Sequence, residues 1–81
     1  MRIDVHYFAV LADRIGSSAD TLDLRDGTTV SAAMDALAER HDIIRSMRHA
    51  LAAAVGTAYV PAHHTLRDGD TLAIIPPVSG G

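Results

Sequence analysis

The first residues of the chain alternate between apolar and polar side chains. Because successive side chains of a β-strand point to opposite faces, this pattern predicts a strand from Arg2 to Val10. Short helical spacing follows over residues 9–15 and ends at a Gly-Ser-Ser turn. Asp20–Arg25 alternates again and predicts a second strand, antiparallel to the first. The first strand would place Ile3, Val5 and Tyr7 on one face and Asp4, His6 and Phe8 on the other.

The clearest helical pattern in the chain runs from Val30 to about His41. Its apolar residues recur at the three- and four-residue spacing of a helix face, and Thr29 is placed to cap the first turn. Residues 43–54 are ambiguous, because their composition favours helix while their last part also alternates like a strand. The predicted fold class is α+β, a mixed sheet packed on one main helix. We predict a short helical piece at Ile43–His49 and strands at Leu51–Val55, Ala58–Val60 and Thr71–Ile75.

A sheet covered by one helix leaves its second face to solvent or to a partner. With the apolar face of the first strand turned toward the helix, Phe8, Ala73 and Ile75 are expected to point outward. An outward Phe and Ile on adjacent strands suggest a docking patch for another protein. Isolated apolar residues are also common on ordinary protein surfaces, so this pattern alone leaves both interpretations open.

The chain has 81 residues, a size that can bury one hydrophobic core. We divide it into a folded domain, residues 1–75, and an extended flexible tail, residues 76–81. It contains no cysteine, which excludes disulfides and thiolate chemistry and favours a reducing, cytoplasmic setting. No stretch approaches the ~20 apolar residues that span a bilayer, so no membrane association is expected. The net charge of −3 is scattered along the chain, which argues against a nucleic-acid partner.

The last residues differ from the rest of the chain. Pro76 and Pro77 supply no backbone N–H, so the sheet cannot continue through them and the chain is expected to leave as a stiff spacer. The five residues from Pro77 onward can reach roughly 17 Å, which is far enough to enter a pocket of another protein. Gly80 and Gly81 form the thinnest possible chain and suit a narrow passage. A frayed terminus is the alternative interpretation of the two glycines.

The α-carboxylate of Gly81 is the chemical group that such a tail would present. It is ionised at neutral pH, and as an anion it can attack the α-phosphate of ATP in an activating enzyme. A sulfur nucleophile could then displace AMP from the acyl-adenylate and leave a terminal thiocarboxylate. The protein would carry sulfur as small cofactors carry other groups.

Three segments carry a family resemblance: VHYFAVLADRIG (Val5–Gly16), LAAAVG (Leu51–Gly56) and DGDTLAIIPPVSGG (Asp68–Gly81). They resemble the small sulfur-carrier subunits of molybdopterin synthase, and the ending is the most specific part of the likeness. The resemblance covers nearly the whole chain and implies a β-grasp, ubiquitin-like fold, in agreement with the element order above. Relatives often carry Asn where Gly56 stands, and both residues tolerate positive φ in a tight turn.

The resemblance also implies a sulfur-transfer cycle. An ATP-dependent adenylating enzyme of the ubiquitin-activating type activates Gly81, and a sulfur donor converts it to the thiocarboxylate. The large synthase subunit then accepts the tail, and the sulfur passes to cyclic pyranopterin monophosphate to build the molybdopterin dithiolene. Residues that let the tail pass would be Pro76, Pro77, Val78, Ser79 and Gly80. Residues that contact the partner would be Phe8, Ile75 and, by analogy with the family, Tyr59.

We therefore expect a non-catalytic carrier subunit, with the catalytic residues on the large subunit. No metal site is expected, because adjacent His63 and His64 would point apart in an extended segment and lack a third ligand. No cofactor is expected to bind stably, and ATP would be used by the activating enzyme. The alternatives are a ubiquitin-like modifier whose Gly81 becomes linked to lysines of targets, a carrier for another pathway such as thiamin thiazole synthesis, and a passive binding module.

All seven basic residues are arginine, so the chain contains no lysine. One explanation is protection of an activated carboxyl from attack by the chain's own amines. The other is a general bias in composition, which nine aspartates against one glutamate also indicate. We favour the compositional explanation.

Overall fold

The computed structural model describes residues 1–77, and Val78, Ser79, Gly80 and Gly81 lie outside the described residues. Each element that the sequence predicts is present. The last two strands have the predicted bounds, and the ends of the other elements differ from the prediction by at most three residues. In chain order the elements are β1 (Arg2–Tyr7), α1 (Val10–Ile15), β2 (Ala19–Asp23), α2 (Val30–Arg40), α3 (Asp42–Met47), a 3₁₀ turn (Arg48–Ala50), β3 (Ala52–Val55), β4 (Ala58–Val60) and β5 (Thr71–Ile75).

The five strands form one mixed sheet in the order β2-β1-β5-β3-β4. Strands β1 and β5 are parallel neighbours at its centre, while the other pairs are antiparallel. Tyr7 pairs with Ile74 near the ends of the two parallel strands, so both strands finish at one end of the sheet. We call this the tail end, because Pro76 follows β5 there. The arrangement confirms the predicted α+β class and mixed sheet.

The core lies between one face of the sheet and the helices. Side chains that alternate along β1 and β5 meet the apolar stripe of α2, as the periodicity predicts. Thr29 caps α2 as predicted, since its hydroxyl accepts a hydrogen bond from the Ala32 N–H at 3.2 Å. The fully buried side chains of this core include Ile3, Val5, Leu11, Leu37, Ile44, Leu66, Leu72 and Ile74.

The predicted first strand extends too far. It ends at Tyr7 instead of Val10, because the backbone turns sharply at Ala9, where φ is 52° and ψ is −127°. The hairpin between β3 and β4 agrees with the sequence, since Gly56 has the positive φ, 62°, that the turn was expected to need. None of the helices within residues 1–77 has the length and apolarity required to cross a membrane.

Candidate functional site at the tail end

Strand β5 carries the root of the tail in the middle of the sheet. Its last residue, Ile75, pairs with Ala52 of β3, while β1 lies on its other side. Pro76 is still buried against the domain, and Pro77 is the first exposed residue after the strand. Because β5 is a central strand, its end is held by neighbours on both sides, which gives the chain a fixed starting point at Pro77.

The residues predicted to carry the chemistry, above all Gly81, lie outside the described residues, as do Val78, Ser79 and Gly80. Their roles stay predictions. What the structure describes is the position from which they start and the surface around it.

Two of the predicted partner-contacting residues, Tyr59 and Ile75, lie on the face of the sheet opposite the helices, which we call the outer face. Tyr59 pairs with Ala54, which pairs in turn with Ala73 of β5. Ile75 lies two residues further along β5, on the same face and nearer the tail end. Phe8 directly follows Tyr7 at that end and is 47% exposed, and Tyr59 is 72% exposed. Tyr59 is therefore exposed on the outer face beside small alanines, and Phe8 is exposed at the tail end.

Two residues on this face are less exposed than the sequence suggests. Ala73 lies on the outer face as predicted, yet it is only 8% exposed. Its position between β1 and β3 explains this, because His6 and Ala54 are its cross-strand neighbours. Ile75 is half-buried. The exposed apolar area therefore lies at the margins of the patch, at Phe8 and Tyr59.

A polar cluster that the sequence pattern does not indicate lies on the helix side of the sheet, near the tail end. The Tyr7 hydroxyl donates to Asp20 Oδ2 at 3.0 Å, and His41 Nε2 lies 3.4 Å from the same oxygen. The other carboxylate oxygen accepts from Arg40 Nη1 at 3.2 Å and from the Thr21 N–H at 2.8 Å. This cluster joins β1, β2 and the end of α2.

The contacts change the proton affinities of two members of the cluster. Burial raises the pKa of Tyr7 well above its usual value, and the hydrogen bond to the Asp20 carboxylate raises it further. Burial acts to raise the pKa of Asp20 as well, but the bonds from Thr21, Tyr7 and His41 and the charge of Arg40 outweigh it. The net pKa of Asp20 is lowered. At neutral pH the cluster therefore holds an ionised Asp20 and a neutral Tyr7.

The sequence pattern does not predict this cluster, because it predicts Tyr7 to be a core residue and Asp20 to be an ordinary polar residue of a strand. The β1–β2 register brings them together, since Asp20 pairs with Val5, two residues from Tyr7 and on the same face of the sheet. Within residues 1–77, no group of three or more His, Asp or Glu side chains is placed to hold a metal ion.

Known proteins with a similar sequence or a similar fold were found for this chain. The ThiS family profile matches residues 5–81. The molybdopterin synthase sulfur carrier subunit of Chlamydomonas reinhardtii is 34% identical over 83 residues, with both chains covered completely. The crystal structure of small archaeal modifier protein 1 from Haloferax volcanii superposes with a TM-score of 0.84 at 27% identity, covering 95% of this chain and 98% of that one.

A further structure with the same fold was solved as a complex. It contains subunits 1 and 2 of the molybdopterin-converting factor from Helicobacter pylori. The match covers 100% of this chain and 100% of the matched chain at 21% identity, with a TM-score of 0.70.

Proposed function

This chain belongs to the ThiS family, and we propose that within it the chain is the sulfur carrier subunit of a molybdopterin synthase. The observation that carries the proposal is the end-to-end similarity to a relative of that name, 34% identical over 83 residues. The β-grasp fold and the position of the tail root support it. The chain is a carrier and not a catalyst, so the acid–base groups of the reaction belong to the large subunit.

The proposed chemistry takes place at Gly81. Its carboxylate oxygen attacks the α-phosphorus of ATP on an adenylating enzyme, pyrophosphate leaves, and an acyl-adenylate forms. Sulfide supplied by a donor then attacks the acyl carbon and AMP leaves, so that a thiocarboxylate remains. On the synthase this sulfur bonds to cyclic pyranopterin monophosphate, and water cleaves the acyl–sulfur bond and returns Gly81 to its carboxylate. Because the dithiolene contains two sulfurs, each product consumes two loaded carriers.

Each tail residue has a role in this delivery that follows from its shape. Pro76 and Pro77 end the strand and direct the chain away from the sheet, because neither can donate a ladder hydrogen bond. Val78 and Ser79 lengthen the spacer. Gly80 lets the chain pass through a narrow tunnel, since it has no Cβ.

The large synthase subunit is the partner that the outer face fits. Tyr59 is exposed there and Ile75 is half-buried, while Phe8 is exposed at the tail end, and exposed aromatic side chains are enriched at protein interfaces. The complex of subunits 1 and 2 from Helicobacter pylori supports this assignment. We further propose a cytoplasmic location, where ATP and the adenylating enzyme are available.

The test is to incubate the purified chain with ATP, a candidate adenylating enzyme and a sulfide source, and to measure the intact mass. We expect one oxygen of Gly81 to be replaced by sulfur, and the loaded chain to convert cyclic pyranopterin monophosphate when a large subunit is added. A variant lacking Gly81 is the control and should gain no sulfur. Loading without any product on the synthase would overturn the proposed pathway.

A second candidate is a ubiquitin-like modifier, since the chain also resembles the small archaeal modifier protein 1. Both functions begin with adenylation of Gly81, but they end differently. Mass spectrometry of the protein recovered from cells separates them, because a modifier yields amide-linked adducts with other proteins and a carrier yields the free thiocarboxylate.

A further inference from the structure

The turn between β1 and α1 is the strained part of the described backbone. Ala9 is the only non-glycine residue within residues 1–77 that has positive φ. A side chain with a Cβ adopts φ 52° and ψ −127° at an energetic cost, and it does so only where the surrounding structure determines it. Such strain is concentrated at functional positions such as active sites, ligand clamps and switch regions.

Two buried anchors hold this turn. Tyr7, on one side, is 2% exposed, and its backbone N–H donates to the Ser18 carbonyl at 2.9 Å. Leu11, on the other side, is fully buried, and its N–H donates to the Phe8 carbonyl at 3.1 Å. With both ends fixed, the three residues between them must reverse direction within a single tight turn.

The turn pushes two apolar side chains into solvent. Phe8 and Val10 flank Ala9, and with Tyr59 they are the large exposed apolar side chains of the described residues. Because Phe8 and Val10 are exposed, their apolar area adds little to the buried core. Their exposure therefore does not stabilise the free domain. The turn also lies at the tail end, because Tyr7 pairs with Ile74, two residues before Pro76.

We propose that residues 8–10 form a preorganised docking element for the large synthase subunit, in which Val10 is a contact residue and Ala9 a positioning residue. This inference rests on the proposed function. A tail of about 17 Å can deliver Gly81 into another protein only if that protein closes directly on the tail end. Phe8 and Val10 therefore lie at the end of the sheet where the receiving surface must be.

Ala9 contributes by limiting motion. Glycine would adopt the same φ without strain, but it would also open other conformations to Phe8 and Val10. Alanine, held by the two anchors, leaves fewer alternatives, so less conformational freedom is lost when the partner binds. Ala9→Gly should therefore keep or raise the melting temperature while it weakens docking.

The first test uses Val10→Ser, with Val10→Ile as the conservative variant and Asp13→Ser as a control on the same helix. Loaded carrier is varied in a synthase assay with a fixed amount of large subunit. We expect Val10→Ser to raise KM about tenfold with kcat unchanged, as the loss of one buried apolar contact predicts. Val10→Ile and Asp13→Ser should match the parent. A KM for Val10→Ser equal to that of the parent would overturn the proposal.

The second test measures Ala9→Gly in the same assay and in thermal unfolding. We expect KM to rise about threefold, the effect of ordering one more mobile side chain, without a lower melting temperature. An unchanged KM would remove the positioning role of Ala9. If the variants instead impair sulfur loading by the adenylating enzyme and leave the synthase KM unaltered, the large subunit is the wrong occupant. Absence of product with the parent chain itself would contradict the proposed function, not this inference.

Discussion

Asp20 is the residue on which the polar contacts near the tail end converge. Its carboxylate accepts hydrogen bonds from the Tyr7 hydroxyl, Arg40 and the Thr21 N–H. Asp20→Asn keeps the shape but removes the charge that these donors face. Because hydrogen bonds to charged groups contribute more than neutral ones and this site is partly open to solvent, we expect a loss of about 1–2 kcal/mol at pH 7. Urea unfolding measures it.

The loss should depend on pH with a definite sign. The pKa of Asp20 is lower in the folded protein than its ordinary value, so the unfolded chain takes up the proton first as the pH falls. The stabilisation by the charge is present above an ordinary pKa of about 4 and disappears as the pH falls through the folded value. The parent and Asp20→Asn should converge in acid. Asp23→Asn, on the exposed part of the same strand, is the control, and an equal effect there would contradict the assignment.

Tyr7 contributes to stability in a way that is lost at high pH, whereas the contribution of Asp20 is lost at low pH. Burial and the Asp20 carboxylate raise its pKa, so the folded protein keeps it neutral where the unfolded chain ionises. This contribution to stability is complete below an ordinary pKa of about 10 and is lost as the pH rises above it. Tyr7→Phe should be less stable by about 1 kcal/mol at pH 8, through the lost hydrogen bond, and should lose less stability than the parent in stronger alkali.

Chemical denaturation at a series of pH values from neutral to alkaline checks this expectation. Tyr59→Phe is the matched control, because Tyr59 is exposed on the outer face. Parallel alkaline profiles for the parent and Tyr7→Phe would show that Tyr7 is not the group responsible.

Helix α2 is the element whose start depends most clearly on one side chain. The Thr29 hydroxyl accepts the Ala32 N–H, and the carbonyls of Ala62 and His64 accept the N–H groups of Ser31 and Val30. Thr29→Ala leaves one of these donors without its partner and should cost about 1 kcal/mol. Thr29→Ser should restore most of it, and Thr57→Ala in the β3–β4 turn should have little effect. Urea midpoints of the three variants decide the matter, and a destabilised Thr29→Ser would argue against capping.

The sequence pattern predicted those helices and strands whose formation depends on residues close together in the chain. The spacing of apolar residues and the Thr29 cap were enough to locate α2, and the alternation along β1 predicted which side chains enter the core. The end of β1 could not be predicted, because the turn at Ala9 is held by Tyr7 and Leu11 in the core. The parallel pairing of β1 with β5 depends on tertiary structure too, and with it the burial of Ala73.

The candidate site, too, could be predicted only in part. The tail and Phe8 could be singled out from the sequence, because residue type and neighbouring residues are enough to indicate them. The sequence pattern did not indicate the exposure of Val10, which it placed on a helical face, or the contact of Tyr7 with Asp20. Both are consequences of strand register and of the strained turn.

At the scale of the whole molecule, the absence of lysine bears on the lifetime of the thiocarboxylate that we propose for Gly81. A lysine with an ordinary pKa is only about 0.04% unprotonated at pH 7, and a thiocarboxylate anion is a poor target for an amine. We therefore expect Arg14→Lys and Arg67→Lys to lose thiocarboxylate no faster than Arg14→Gln and Arg67→Gln. Intact mass followed over hours is the measurement. Faster loss in the lysine variants alone would support self-protection over composition bias.

The single tail end also limits which complexes can coexist. In the proposed cycle the adenylating enzyme and the large subunit would both receive the chain that starts at Pro77, and a tail of about 17 Å cannot serve two active sites at once. We expect a large subunit to inhibit sulfur loading in proportion to the carrier it binds, with half-inhibition near its Kd. An unrelated protein at the same concentration should not inhibit. The Val10→Ser carrier should need about tenfold more large subunit for the same inhibition, because only its docking is weakened. Loading that continues at the full rate with all carrier bound would show that the tail can reach the adenylating enzyme from within the synthase, and docking and delivery would then be separate properties of the fold.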